Sequence, residues 1–117
     1  MPPGFNAVIT EKNLRALAGG LSYSRGEEYF ESGLVGPVSE KNGVIAAKVH
    51  GSHTYESRLK LVTESRGKTS LDHSCSCPVG QDGDFCKHAV ALGLAWLDKN
   101  GEVAVKWLRF LRQGDKQ

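Results

Sequence analysis

Apolar positions recur along this chain with two different periods, and the changes of period mark out its elements. Leu14, Leu17 and Ala18 fall on one side of a 3.6-residue spiral. Thr10 stands where an N-cap is needed and Gly19-Gly20 follows, so a short helix is predicted over 10–18. Ser24 and Glu27 have the spacing of a capping box and should open a second helix, which carries Tyr29 and Phe30 and stops at Gly33. The period then drops to two. Residues 34–40 and 44–50 flank Asn42-Gly43, a dipeptide suited to a tight primed turn, and read as a hairpin. Residues 55–62 alternate cleanly, with Tyr55, Ser57, Leu59 and Leu61 on one face and Glu56, Arg58 and Lys60 on the other. After a turn at 65–68, a strand from Thr69 brings Leu71, His73, Cys75 and Cys77 onto one face, and Pro78 ends it.

Residues 89–97 are apolar almost all round. A helix of that kind, running from His88 to about Asp98 and closed by Asn100-Gly101, belongs in a core and has no polar side chains to offer to base edges. A last helix is predicted over 103–112, with Ala104, Trp107, Leu108 and Leu111 on one stripe and Gly114 after it. The fold class is α+β: two N-terminal helices, a small antiparallel sheet of about four strands, a ββα-like unit around the cysteines and a C-terminal helix. Residues 1–9 read as a leader and 10–117 as a single domain, a size that suits 117 residues.

Composition adds exclusions. Hydrophobic residues at 39% and charged residues at 24% are ordinary for a globular domain and wrong for a disordered one. The longest apolar run, 89–97, is far short of the roughly 20 residues a membrane helix needs. Residues 1–12 lack the basic-then-apolar pattern of a secretion signal, so a cytoplasmic location is expected. The net charge of +2 arises wholly in the last segment, where Lys106, Arg109, Arg112 and Lys116 outnumber Glu102 and Asp115. That is a small excess for a chain that lives on phosphate backbone.

The candidate chemistry is in 75–88. All three cysteines fall there, an odd number that cannot pair off completely and is clustered as metal ligands are. Cys75 and Cys77 are two apart, so a strand aims both thiolates the same way. Cys86 and His88 are also two apart, which on a helix would turn them about 200° from each other. Cys86 must then sit in the turn before the helix, with His88 in its first turn. The intervening loop carries Gly80, Asp82, Gly83 and Asp84, residues that let it fold back. Three sulfurs and an imidazole complete a tetrahedron, so one structural Zn²⁺ is expected with no position left for a reacting water. No nucleophile–base pair and no phosphate loop accompany it, and the expectation is a binding module, not an enzyme. His73 shares the strand face of Cys75 and is a rival ligand, with a solvent-facing or supporting role favoured. His50 and His53 read as loop surface.

The phrases Cys75-Ser76-Cys77-Pro78 and Cys86-Lys87-His88-Ala89, followed by an apolar helix, resemble the SWIM-type zinc finger, here over about 54–96. Upstream, Arg25-Gly26, Tyr29, Gly33, Val35, Ala47, Val49, Gly51-Ser52 and Tyr55 resemble the segment that precedes this finger in bacterial members. The resemblance implies zinc ligands at Cys75, Cys77, Cys86 and His88, a role in binding protein or DNA, and a setting beside a helicase-like ATPase. It implies no catalytic residue. A protein partner is slightly favoured over DNA, because the charge excess is small and the helix after the ligands is apolar. No membrane and no small-molecule substrate is expected. For DNA, the candidate contacts are Arg58, Lys60, Lys87, Lys106, Arg109 and Arg112. Lys87 also offsets the charge of about −1 that three thiolates leave on Zn²⁺. A further alternative is a redox or metal sensor, in which oxidation of Cys75 or Cys77 ejects the ion.

Overall fold

The computed structural model describes residues 5, 8–67, 69–78 and 85–99. The helix expected over 103–112, and with it Lys106, Arg109 and Arg112, lies outside these residues, as does the loop interior 79–84. Among the described residues the element order is α1 (Glu11–Ala18), α2 (Gly20–Glu31), β1 (Ser39–Lys41), β2 (Val44–His50), β3 (Thr54–Thr63), β4 (Thr69–Cys75) and α3 (Lys87–Lys99). The four strands form one antiparallel meander in the order β1-β2-β3-β4. The fold is α+β, as the alternation of periods predicts, with α3 running over one face of the sheet.

Local sequence explains most boundaries. Thr10 caps α1: its hydroxyl accepts the Asn13 N–H at 3.0 Å. The capping box at Ser24 and Glu27 is not a helix start, because α2 begins four residues earlier, at Gly20. Gly19, at φ +83, breaks the chain direction and its carbonyl receives the Tyr23 N–H, so the two N-terminal helices follow each other with only Gly19 between them. The end of α2 is a Schellman motif. Leu34 N–H reaches the Tyr29 carbonyl and Gly33 N–H the Phe30 carbonyl, with Gly33 at φ +73. Asn42 and Gly43 both have positive φ, which is the primed turn of the β1–β2 hairpin. The first strand of that hairpin is shorter than the expected 34–40. The register slips by one residue between the Val35–Val49 bridge and the Ser39–Ala46 pair, a bulge around Pro37, which has no N–H to give.

The core lies between the sheet and the helices. Ile45, Ala47 and Val49 of β2 and Ser57 and Leu59 of β3 face α3, whose residues 88–94 are buried without a break. This all-round burial needs close neighbours, and glycines supply them. A Cβ on Gly26 of α2 would sit 2.5 Å from the Val90 Cβ and 2.8 Å from the Lys87 carbonyl oxygen. A Cβ on Gly93 would sit 2.8 Å from Leu14. Two expectations are corrected. Leu17, placed on the inner stripe of α1, is 42% exposed, because α1 touches the core through Leu14. Residues 1–9 were expected as a leader, yet Phe5, Val8 and Ile9 are buried, with Phe5 against Trp96 at 5.8 Å between ring centres. Three apolar residues near a helix N-terminus have the same reason to be buried as any others.

Candidate metal centre

Two elements and the residues flanking them deliver the donor set. Cys75 is the last residue of β4, Cys77 follows it past Ser76, Cys86 precedes α3, and His88 stands in the first turn of α3. The C-x-C turn is tied to the neighbouring strand at Ser76. Its N–H donates to the Glu56 carbonyl at 3.1 Å, and its hydroxyl accepts the Glu56 N–H at 3.0 Å. Cys86 acts as the N-cap of α3: the Val90 N–H bonds its carbonyl at 3.2 Å, and the Ala89 N–H bonds its sulfur. The positive end of the helix dipole thus points at a thiol that must lose its proton to bind a metal.

The donor atoms of Cys75, Cys77, Cys86 and His88 all lie within 4.8 Å of one another, and all four residues are buried. His88 Nδ1 is 3.7 Å from the Cys75 sulfur and 3.9 Å from the Cys86 sulfur. A tetrahedron with Zn–S about 2.3 Å and Zn–N about 2.0 Å has edges of about 3.5–3.8 Å, so these residues fit one zinc ion with small movements. All three cysteines are free thiols. Without a metal they cannot ionise independently. The hydrogen bond from Cys86 holds the Cys75 thiol far below its ordinary range, at about 4, against the opposing effect of burial, with His88 and the Cys77 N–H assisting. The same bond and the same burial push Cys86 up. One proton on Cys86 therefore bridges to a Cys75 thiolate.

His88 is held from both sides. The Tyr29 ring meets it edge-on at 5.2 Å, and the Tyr55 ring covers it at 4.8 Å with a 33° tilt. Lys87 Nζ lies 5.3 Å above the Tyr29 ring. His73 is not among the four donors; its ring packs against Phe85 at 4.7 Å. His50 and His53 are exposed, His50 Nδ1 lying 3.2 Å from the Thr54 hydroxyl. Arg58 and Lys60 project from the exposed face of β3, away from α3. Arg58 forms an ion pair with Glu56, and Lys60 stands opposite Asp72 of β4. The structure therefore does not bring these two together with Lys87. Sequence reasoning on spacing missed Ser76, whose place between two ligands was the available signal, and the close approach at Gly26, which no local pattern announces.

Three sulfurs and one imidazole meeting at a buried point define a closed zinc-binding centre of the structural class. Residues 67–96 match the SWIM zinc finger family model, and the chain carries a SWIM zinc finger over those residues. The match opens in the β3–β4 turn and takes in β4, the donor set and most of α3, leaving β3 outside it. Neither the curated proteins nor the solved structures compared with the chain include a match. Among the described residues, no helix is long and apolar enough to cross a membrane.

Proposed function

We propose that this chain is a zinc-dependent interaction module that binds a protein partner in the cytoplasm, with Cys75, Cys77, Cys86 and His88 as the ligands of one structural Zn²⁺. The observation that carries this reading is the closure of the centre. Four buried donors from the chain fill a tetrahedron, which leaves the ion no position for a substrate or a reacting water. The ion therefore acts by fixing β4 and α3, and activity resides in the surfaces they hold, not in a reaction at the metal. A helicase-like ATPase as the partner is what the family resemblance suggests, and an accessory role of this kind needs no catalytic residue here.

DNA is the second reading, and two features weigh against it. The body of α3 is buried, so it has no face for a groove. Arg58 and Lys60 have acidic neighbours on their own sheet face. The test is co-purification from native lysate with and without a zinc chelator, together with DNA binding over a range of salt. The proposal expects a protein retained only with zinc and little change with salt. A DNA affinity that falls steeply with salt and depends on Arg109 and Arg112 would reverse it.

A further inference from the structure

A pocket of about 190 Å³ opens beside the metal centre, where α2, the turn between β2 and β3, and the first turn of α3 meet. Among the described residues its wall carries the cations Arg25 and Lys87, the hydroxyls of Ser22, Ser52 and Tyr29, and the ring of His88, and no carboxylate. Among the described residues neither Arg25 nor Lys87 has an acidic partner. The imidazole turns Nδ1 to the sulfurs. With Nδ1 on a metal, a neutral imidazole keeps its proton on Nε2. That nitrogen is buried and finds no acceptor among the described residues. Ligand histidines as a rule give this proton to a carboxylate, a carbonyl or a water.

We infer that this pocket receives the carboxylate of an aspartate or glutamate from a protein partner, held by Arg25 and Lys87 and accepting the Nε2–H of His88. The inference rests on the protein-binding reading above and names the chemistry of its partner. Charge supports a single acidic side chain. Arg25 and Lys87 together, set against about −1 on a three-thiolate zinc centre, leave one positive charge at the pocket. A nucleic-acid backbone needs a row of cations, and the candidate cations of β3, Arg58 and Lys60, lie on the exposed face of the sheet, away from α3. Because Nε2 is buried in the free chain, an arriving oxygen must displace a neighbour of the imidazole, against which the rings of Tyr29 and Tyr55 both pack. A carboxylate on His88 also strengthens the imidazole as a ligand, so partner binding and zinc retention reinforce each other.

The test uses the zinc-loaded full chain. It is titrated with a fluorescent, end-blocked glutamate-rich peptide, with the glutamine counterpart of that peptide, and with a single-stranded oligonucleotide. The glutamate peptide should bind, the glutamine peptide about tenfold more weakly, and Arg25→Gln with Lys87→Gln should lose about tenfold while keeping zinc. Lys41→Gln on β1 should change nothing. In nuclear magnetic resonance, the glutamate peptide should shift the His88 and Tyr55 ring signals of the unaltered protein. No binding of the glutamate peptide, equal binding by the double variant, or unmoved His88 signals would overturn the assignment. So would an oligonucleotide that binds through Arg25 and Lys87 more tightly than the peptide. The ring signals need no variant, so they decide the matter even if the double substitution unfolds. A zinc-dependent lysate partner retained equally by the double variant would sink the pocket and leave the module reading standing.

Discussion

Three thiols and an imidazole packed this closely cannot all choose their own protonation, and the metal resolves the conflict. In the metal-free protein Cys86 is held above its ordinary value, so it keeps its proton through the neutral range. The metal-bound form has lost that proton. The free form thus binds more protons, and zinc affinity must rise with pH, by about tenfold per unit for each proton released. Competition with a chelator at several pH values measures the slope; a flat profile would mean that the thiol is already ionised. His88→Ala should lower bound zinc well below one ion per chain, as measured by metal analysis, whereas His88→Cys keeps four donors and should retain it. Ser57 supplies a quieter test. Its hydroxyl is fully buried without a hydrogen-bond partner among the described residues. Removing an unsatisfied polar group relieves a cost of about 1–3 kcal/mol, offset in part by the small void left behind. Ser57→Ala should therefore leave the denaturation midpoint unchanged or raise it.

At the scale of elements, α3 has two duties that constrain each other. Its N-terminal end, with Cys86 as the cap and His88 in the first turn, presents two donors to the metal, and its body fills the core between the sheet and α2. Gly26 sets the spacing of α2 and α3 at the level of Lys87. An alanine there improves helix propensity by about 1 kcal/mol, but its methyl would press on the Val90 side chain and the rigid Lys87 carbonyl. Overpacking of this kind costs about 1–3 kcal/mol, so the net effect should be a loss. Gly26→Ala is expected to lower both the melting temperature and the zinc affinity, since the displaced carbonyl lies one residue from His88. A variant that melts lower with unchanged zinc affinity would uncouple the two duties. At its other end α3 is fixed by Trp96, whose indole N–H donates to a Glu40 carboxylate oxygen of β1 at 2.7 Å. Lys99 adds a bond from Nζ to the Val38 carbonyl at 2.6 Å.

Across the whole molecule, the zinc centre joins the end of the sheet to the start of the helix that covers it. Apparent zinc binding energies in such sites are on the order of 10 kcal/mol or more, comparable with the whole stability of a domain at roughly 5–15 kcal/mol. Chelation should therefore free the amides of α3 and the end of β4 to exchange with solvent, which hydrogen exchange would show residue by residue. Protection that survives complete zinc removal would contradict a structural role. The N-terminal residues belong to the same core. Phe5, Val8 and Ile9 are all buried, and burial of each such side chain contributes up to about 1.5–3 kcal/mol. Deleting residues 1–9 should lower the denaturant midpoint clearly, and Ile9→Ala alone should cost about 2–5 kcal/mol.

Much of this was written in one dimension. Period and punctuation placed β2, β3 and β4, the turn at Asn42-Gly43 and the helix after His88, because strands and helices expose their geometry as repeats of two and 3.6 residues, while β1 came out shorter and later than the pattern suggests. The ligand set was legible for a related reason: donor spacing of two, twice, is a local property of a strand end and a helix start. Other features depend on parts of the chain that meet only in space. The capping-box spacing of Ser24 and Glu27 lost to Gly19, whose positive φ started the helix earlier. Phe5, Val8 and Ile9 became core once Trp96 and the helices closed over them. The Tyr29 and Tyr55 rings around His88 and the pocket shared by Arg25 and Lys87 come from α2, β3 and α3 together. Short-range backbone preference can be read from neighbours in sequence. Burial and the convergence of charges are set by packing, and packing exists only in the folded chain.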